Sequence, residues 1–107
     1  MAKQGILIDV RERAELEAGM AAQALWIASA DVVNETDTYK AFISKLGKDE
    51  RLLFYCARGF RAAKVADRLA LKGFSTGVLG GYKDWVKAGL PVQAPPQIPS
   101  PADPAKI

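Results

Sequence analysis

One stretch of the sequence combines a nucleophile, two cations and a glycine within six residues. It is the run Cys56-Ala57-Arg58-Gly59-Phe60-Arg61, preceded by the apolar segment Leu52-Leu53-Phe54-Tyr55. An apolar strand would place the cysteine at its carboxyl end, and a helix starting at about Phe60 or Arg61 would direct the positive end of its dipole at the sulfur. Gly59 would give the loop the backbone freedom to curl around that sulfur. The pattern therefore predicts a site that stabilises an anion at Cys56.

Cysteine attacks as a thiolate, which is favoured by nearby cations, backbone amides and helix amino termini. Arg58 and Arg61 are the cations at hand and could also attract a small anionic substrate. The alternative is a structural role, since a lone cysteine often behaves as a small buried apolar residue. A structural cysteine has no need to end a strand, precede a glycine loop and stand beside two arginines, so we predict a reactive thiol.

The composition excludes several classes of function. One cysteine permits no internal disulfide or resolving thiol, and the absence of histidine removes the usual general base and the commonest zinc ligand. We therefore expect no metal and no cofactor. The net charge of +3 is scattered, so a nucleic-acid partner is not expected. No apolar run approaches the ~20 residues that span a bilayer, so no membrane partner is expected.

The elements around this stretch alternate between strands and helices. Apolar runs predict strands at residues 6–10, 25–27, 52–55 and 77–79, with a turn at Gly80-Gly81. Helices are predicted for residues 12–18, from Asn34 or Thr36 to about Leu46, from the loop to Gly73, and for residues 82–88. This order predicts an α/β fold with a central parallel sheet and helices on both faces. Ligands of such sheets bind at the carboxyl ends of strands, where Cys56 is expected.

The chain has the length of one domain, which we assign to residues 1–92. Residues 93–107 hold five of the six prolines and are expected to form an extended tail with little core. No signal peptide is visible at the amino terminus, so a cytoplasmic protein is expected, with a periplasmic protein that has lost its leader as the alternative.

Over about residues 5–92, the sequence resembles the rhodanese family. The Cys56 run fits the family's six-residue active-site loop, and Leu7-Ile8-Asp9-Val10-Arg11 is similar to its opening strand with an Asp-x-Arg signature. Gly73-Phe74 and the run from Gly80 to Val92 are similar to its closing strand, Gly-Gly turn and Trp-bearing helix. Four motifs in the right order and spacing are specific. One departure is the segment from Gly19 to Ala24, which lacks the histidine and second glycine that many members have.

The resemblance implies a sulfurtransferase in which Cys56 carries a sulfane sulfur as a persulfide. Thiosulfate or a related donor would supply the sulfur, and cyanide, a thiol or a protein acceptor would remove it. The loop residues Ala57, Arg58, Gly59, Phe60 and Arg61 would bind substrate. Asp9 and Arg11 would support the loop through an ion pair, although such a pair is more often structural.

Two other functions compete with this one. A cysteine-based phosphatase uses a similar cradle but conventionally places five residues between its cysteine and arginine, whereas four separate Cys56 from Arg61. A loop that is one residue shorter suits a sulfur-sized anion better than a phosphoryl group. The second alternative is a non-catalytic binding or sulfur-carrier module that keeps the fold. A binding module that has lost turnover has no need to retain the nucleophile.

Overall fold

The structure is a computed structural model that describes residues 5–47 and 49–94. Its strands are β1 (Ile6–Asp9), β2 (Met20–Ala21), β3 (Leu25–Trp26), β4 (Arg51–Cys56), β5 (Ser75–Gly81) and β6 (Val92–Gln93). Its helices are a 3₁₀ helix (Arg13–Ala18), α1 (Ser29–Asn34), α2 (Asp37–Ser44), α3 (Phe60–Leu71) and α4 (Tyr82–Lys87). The predicted strands and helices occur in the predicted order, and α1, β2 and β6 are additional elements.

Four strands form one parallel sheet in the order β3-β1-β4-β5. In the register, Ile8 of β1 lies beside Phe54 of β4, which lies beside Val78 of β5. The strand that carries the cysteine is thus central, with a partner on each edge. The predicted α/β fold with a parallel sheet is confirmed.

The two faces of the sheet bury two separate apolar clusters, because successive side chains of a strand point to opposite faces. On β4, Phe54 and Cys56 belong to the cluster that includes residues of α1, α2 and α3. Tyr55 belongs to the cluster that includes Leu16 of the 3₁₀ helix and is flanked by Trp85 of α4. Helices therefore cover both faces, as predicted, and Cys56 points toward α3.

Helix α3 forms where the sequence places apolar residues at helical spacing. Ala62, Val65, Ala66 and Leu69 are buried on the sheet side of this helix. Lys64, Asp67 and Arg68 lie on its exposed side. This amphipathic pattern turns the apolar side of the helix toward the sheet. The three residues between β4 and α3 keep the amino terminus of the helix next to the end of β4. Neither α3 nor any other helix of the described residues has the length and apolar character needed to cross a bilayer.

Three details differ from the sequence-based prediction. Helix α1 was not predicted, because it has only six residues and its cap residue Ala28 offers no side-chain hydrogen bond. The expected turn at Gly80-Gly81 is wrong: both glycines belong to β5, which stays paired with β4 through a bulge opposite Phe54 and Tyr55. The positive φ of 105° at Gly80 accommodates this irregularity.

A small antiparallel ribbon is the third difference. Strand β6 pairs with β2, so that Met20 lies opposite Gln93 and Ala21 opposite Val92. The side-chain amide of Gln93 also accepts from the Gln23 N–H and donates to the Ala24 carbonyl. Gln93, which the sequence assigns to the tail, therefore packs on the domain. Residues 95–107 of that tail lie outside the described residues.

Candidate active site

Cys56 is the last residue of β4, and its side chain is buried at 1% exposure on the face covered by α3. Its Sγ accepts a hydrogen bond from the Gly59 N–H at 2.8 Å. A thiolate or persulfide gains more from such a donor than a neutral thiol does, because hydrogen bonds to charged acceptors are stronger. The sulfur is thus packed like a core residue on one side and paired with a loop amide on the other.

The loop after Cys56 turns directly into α3. Gly59 is the cap residue of that helix and has φ 102°, a left-handed conformation that favours glycine. Its carbonyl accepts from the Ala63 N–H at 3.0 Å, which starts the helical hydrogen bonding. The first N–H groups of a helix have no partner within the helix, and they carry the positive end of its dipole. The predicted helix start at Phe60 is confirmed, with its amino terminus beside Sγ.

A cavity of about 170 Å³ lies beside Cys56. A water molecule occupies about 30 Å³ of liquid, so the cavity has room for an anion of several heavy atoms. It is lined by Cys56, Ala57, Arg58, Phe60 and Arg61. The structure therefore brings together five of the six loop residues singled out from the sequence, and the sixth, Gly59, supplies the amide. The side chain of Phe60 is 74% exposed, so its ring forms an apolar surface beside the cavity.

The two arginines of the loop differ in their surroundings. Arg58 is exposed, and no ion pair of Arg58 occurs within the described residues. Arg61 is half-buried and forms a bidentate pair with Glu15, with Nη1 to Oε1 at 2.7 Å and Nη2 to Oε2 at 2.9 Å. The hydrogen bonds from Arg61 lower the pKa of Glu15 to about 2. The same pair raises the pKa of Arg61 above its ordinary value.

Glu15 is a site residue that the sequence reasoning missed. Its own position carries a local signal, because Glu12 and Glu15 form a capping box at the start of the 3₁₀ helix, with the Glu12 N–H donating to Glu15 Oε1 at 2.7 Å. That signal predicts the start of a helix, but it gives no information about a contact with the cysteine loop. The pair with Arg61 joins residues 46 positions apart, which no local pattern reveals.

The predicted ion pair of Asp9 and Arg11 exists but does not reach the loop itself. Both side chains are buried, and Arg11 Nε and Nη2 donate to the Asp9 carboxylate at 2.8 to 3.1 Å. Two charges are costly to bury unless they are closely paired and hydrogen-bonded, as these are. Arg11 also donates to the carbonyls of Glu15 and Gly19, at the end of the 3₁₀ helix. The pair thus fixes the helix that carries Glu15.

Aromatic side chains surround this pair. The Tyr82 ring lies 4.1 Å from the guanidinium carbon of Arg11, and it stacks on Tyr55. The Tyr55 hydroxyl accepts from the Ala21 N–H at 2.9 Å, and burial raises its pKa above the ordinary value. Trp26 donates from Nε1 to the Arg11 carbonyl. Tyr55 and Trp26 are therefore structural supports beneath the site.

A second cavity of about 170 Å³ lies on the opposite face of the sheet. Its lining consists of Tyr55, Leu79, Gly81, Asp84, Trp85 and Leu90. None of these side chains is a thiol, and Trp85 already donates from Nε1 to the Pro91 carbonyl. Within residues 5–47 and 49–94, no three cysteine or acidic side chains gather into a group that could hold a metal ion. The cavity at Cys56 is therefore the candidate active site.

Comparisons with known proteins find sulfurtransferases and rhodanese-related folds among the relatives of this chain. YtwF of Bacillus subtilis, named as a candidate sulfurtransferase, is 38% identical over 80 residues, which cover 74% of this chain and 71% of that protein. Thiosulfate sulfurtransferase 16 of Arabidopsis thaliana, a chloroplastic protein, is 30% identical over 95 residues, covering 81% of this chain and 78% of its own. The crystal structure of a rhodanese-related protein from Thermoplasma volcanium superposes with a TM-score of 0.68 at 29% identity, covering 82% of each chain.

The match to the family itself covers most of the molecule. Residues 1–88 fit the Rhodanese-like domain family, a span that includes the strand, loop and helix around Cys56. This span also includes the 3₁₀ helix with Glu15 and both arginines of the loop. The chain belongs to the rhodanese-like domain family.

Proposed function

We propose that this protein is a sulfurtransferase that accepts a sulfane sulfur from thiosulfate or a related donor and passes it to cyanide or a thiol. The observation that carries the proposal is the position of Cys56, which lines an anion-sized cavity and whose Sγ accepts a hydrogen bond from the cap residue of α3. The sulfurtransferase names of the relatives support the same class of reaction. The sulfur carrier is a persulfide on Cys56.

In the first step, the Cys56 thiolate attacks the outer sulfur of thiosulfate. A new sulfur–sulfur bond forms as the sulfur–sulfur bond of thiosulfate breaks, and sulfite leaves with the bonding electron pair. The products are a persulfide anion with one negative charge and sulfite with two, which balances the charge of thiolate and thiosulfate. In the second step, cyanide attacks the outer sulfur of the persulfide, so that thiocyanate leaves and the thiolate returns.

Neither step needs a general base, because nucleophile and leaving group are already anionic. This chemistry suits a chain without histidine. What the site must supply is stabilisation of negative charge. The Gly59 N–H donates to Sγ itself, and the first N–H groups of α3, which follow directly, would hold the outer sulfur of the persulfide. Arg58 and Arg61 line the same cavity and would bind the oxygens of the donor.

A phosphatase would place different demands on this loop. With only four residues between Cys56 and Arg61, the loop encloses less space than a phosphatase cradle, which conventionally has five. The shorter loop favours a smaller ligand than a phosphoryl group.

The experiment compares the wild-type protein with Cys56→Ser in two assays run side by side. Thiosulfate with cyanide should yield thiocyanate with the wild type and none with the variant, because oxygen cannot form the corresponding persulfide. p-Nitrophenyl phosphate should remain intact with both proteins. Turnover of the phosphate ester and not of thiosulfate would assign a phosphatase. Turnover of neither, with the fold intact by circular dichroism, would assign a non-catalytic module.

A further inference from the structure

The pair between Glu15 and Arg61 connects the active-site loop to a part of the chain that is fixed by other contacts. Glu15 Oε1 accepts from the Glu12 N–H at 2.7 Å as well as from Arg61. The carbonyl of Glu15 accepts from Arg11, which is itself locked to the buried Asp9. The Glu15 carboxylate is thus held by one backbone N–H besides Arg61, and the backbone that carries it is held by Arg11. These contacts fix Glu15 independently of Arg61, so the glutamate can hold the arginine in place.

Arg61 keeps donors for a ligand while it is paired. A guanidinium has five N–H groups, and the bidentate pair uses two of them, one on each terminal nitrogen. Arg61 also contributes to the wall of the cavity at Cys56. A long side chain that is already ordered loses less conformational entropy when a ligand binds. An unpaired arginine in this first turn of α3 would be repelled by the helix dipole and would turn to solvent.

We propose that Glu15 is a positioning residue, which holds the Arg61 guanidinium at the cavity wall so that its remaining N–H groups meet the oxyanion of the sulfur donor. This inference rests on the proposed function for the nature of the donor. Glu15 touches no substrate in this account and acts through Arg61 alone. Arg58, which has no ion pair within the described residues, supplies the second cation.

The first test is a double-mutant cycle with Glu15→Ala, Arg61→Ala and the combined variant, measured as KM and kcat for thiosulfate. Glu17→Ala is the matched control, because Glu17 is an exposed glutamate of the same 3₁₀ helix. We expect Glu15→Ala to raise KM about three- to tenfold and to leave kcat within about twofold, since part of one charge-assisted contact is lost. The combined variant should match Arg61→Ala.

Two results of the cycle would overturn the proposal. One is an unchanged KM in Glu15→Ala. The other is a rise in KM from Glu15→Ala that is equally large when Arg61 has already been replaced, because the glutamate would then act independently of the arginine. A merely structural role would lower the melting temperature of Glu15→Ala without changing KM.

The second test needs no sulfur transfer, so it separates this inference from the proposed function. Cys56 is alkylated with anionic iodoacetate and with neutral iodoacetamide, and the ratio of the two rates reports the positive charge held at the cavity. In Glu15→Ala the ratio should fall toward that of Arg61→Ala, by about twofold or more. A ratio above the wild-type value would show that the carboxylate only neutralises Arg61, and an unchanged ratio would show no effect on the site. A wild type that does not turn over thiosulfate would contradict the proposed function, while this ratio would still decide the role of Glu15.

Discussion

Gly81 lies directly against the carbonyl of Ala57, so that a β-carbon on Gly81 would collide with that oxygen. The same β-carbon would lie 3.2 Å from Cα of Arg58, inside ordinary contact distance. Gly81 has an extended backbone, with φ −116°, so the need for glycine here is steric and not conformational. The cysteine loop thus packs against the end of β5. The absence of a side chain at Gly81 allows the loop backbone to approach the strand this closely.

Gly81→Ala should therefore displace the loop and impair sulfur transfer. We expect a fall in kcat/KM of about tenfold or more, because shifts of about 1 Å in a catalytic site commonly cost that much. Overpacking should also lower the free energy of unfolding by about 1 to 3 kcal/mol. Gly89→Ala is the control: a β-carbon there meets nothing within 4 Å, but the residue has φ 77°. It should lose stability and keep its transfer rate. Equal activity in the two variants would show that the Ala57 contact does not shape the site.

Arg58 is expected to bind the donor through its charge. Arg58→Ala should raise KM for thiosulfate about ten- to a hundredfold, the worth of one charge-assisted hydrogen bond, with little change for an uncharged persulfide donor. Arg68→Ala provides the control, since Arg68 is an exposed arginine of α3, the helix that follows the loop of Arg58. Steady-state kinetics with both donors make the comparison. An Arg58→Ala protein with wild-type KM would mean that this side chain stays in solvent during catalysis.

The Glu15–Arg61 pair should make stability depend on pH. The pKa of Glu15 is lowered from 4.5 to about 2 in the folded protein, so the pair contributes its full stability above about pH 4.5 and loses it as the pH falls toward 2. After allowance for solvent screening, we expect about 1 kcal/mol at neutral pH. Urea unfolding of the wild type and of Glu15→Gln at pH 7, 4 and 2.5 measures this contribution to the free energy of unfolding. The difference between the two proteins should shrink with falling pH. A constant difference would assign the effect to packing.

Gln23 occupies a backbone conformation that suits glycine. Its φ is 68°, and its N–H donates to the Gln93 side chain at 2.9 Å. Many members of the rhodanese family have glycine at this position, so Gln23→Gly should relieve local strain. We expect a gain in the free energy of unfolding of about 0.5 to 1 kcal/mol, the strain relieved minus the added chain entropy. Gln23→Ala retains a β-carbon and should show no gain. Sulfur transfer should be unchanged in both, and a loss of stability in Gln23→Gly would contradict the strain argument.

Much of the site could be predicted because it is local in sequence. The strand before Cys56, the glycine at the cap and the amphipathic period of α3 are all contained in residues 51–71, and each has a pattern with a physical cause. Loop and helix therefore appear where the sequence puts them. The resemblance to the rhodanese family added the order of the remaining motifs.

Contacts between distant residues could not be predicted in this way. Glu15, the partner of Arg61, lies 46 positions away in the sequence. The side-chain amide of Gln93 forms hydrogen bonds with the backbone of Ala24 and Gln23, which lie 69 and 70 positions away. A single glutamate or glutamine has no periodicity that would reveal such a partner. The ribbon of β2 and β6 has two residues in each strand, too few for an alternation to be seen. These contacts fix how the site is supported, and only the folded chain shows them.

A transferable sulfur on Cys56 would change the intact mass of the protein, which mass spectrometry measures. Treatment with thiosulfate should add one sulfur atom, about 32 Da, to the wild type, because Cys56 is the only thiol in the chain. Cyanide should then remove that mass, and Cys56→Ser should never gain it. An unmodified wild-type mass, under conditions that load another rhodanese, would mean that Cys56 carries no transferable sulfur, and so would an added sulfur that cyanide does not remove.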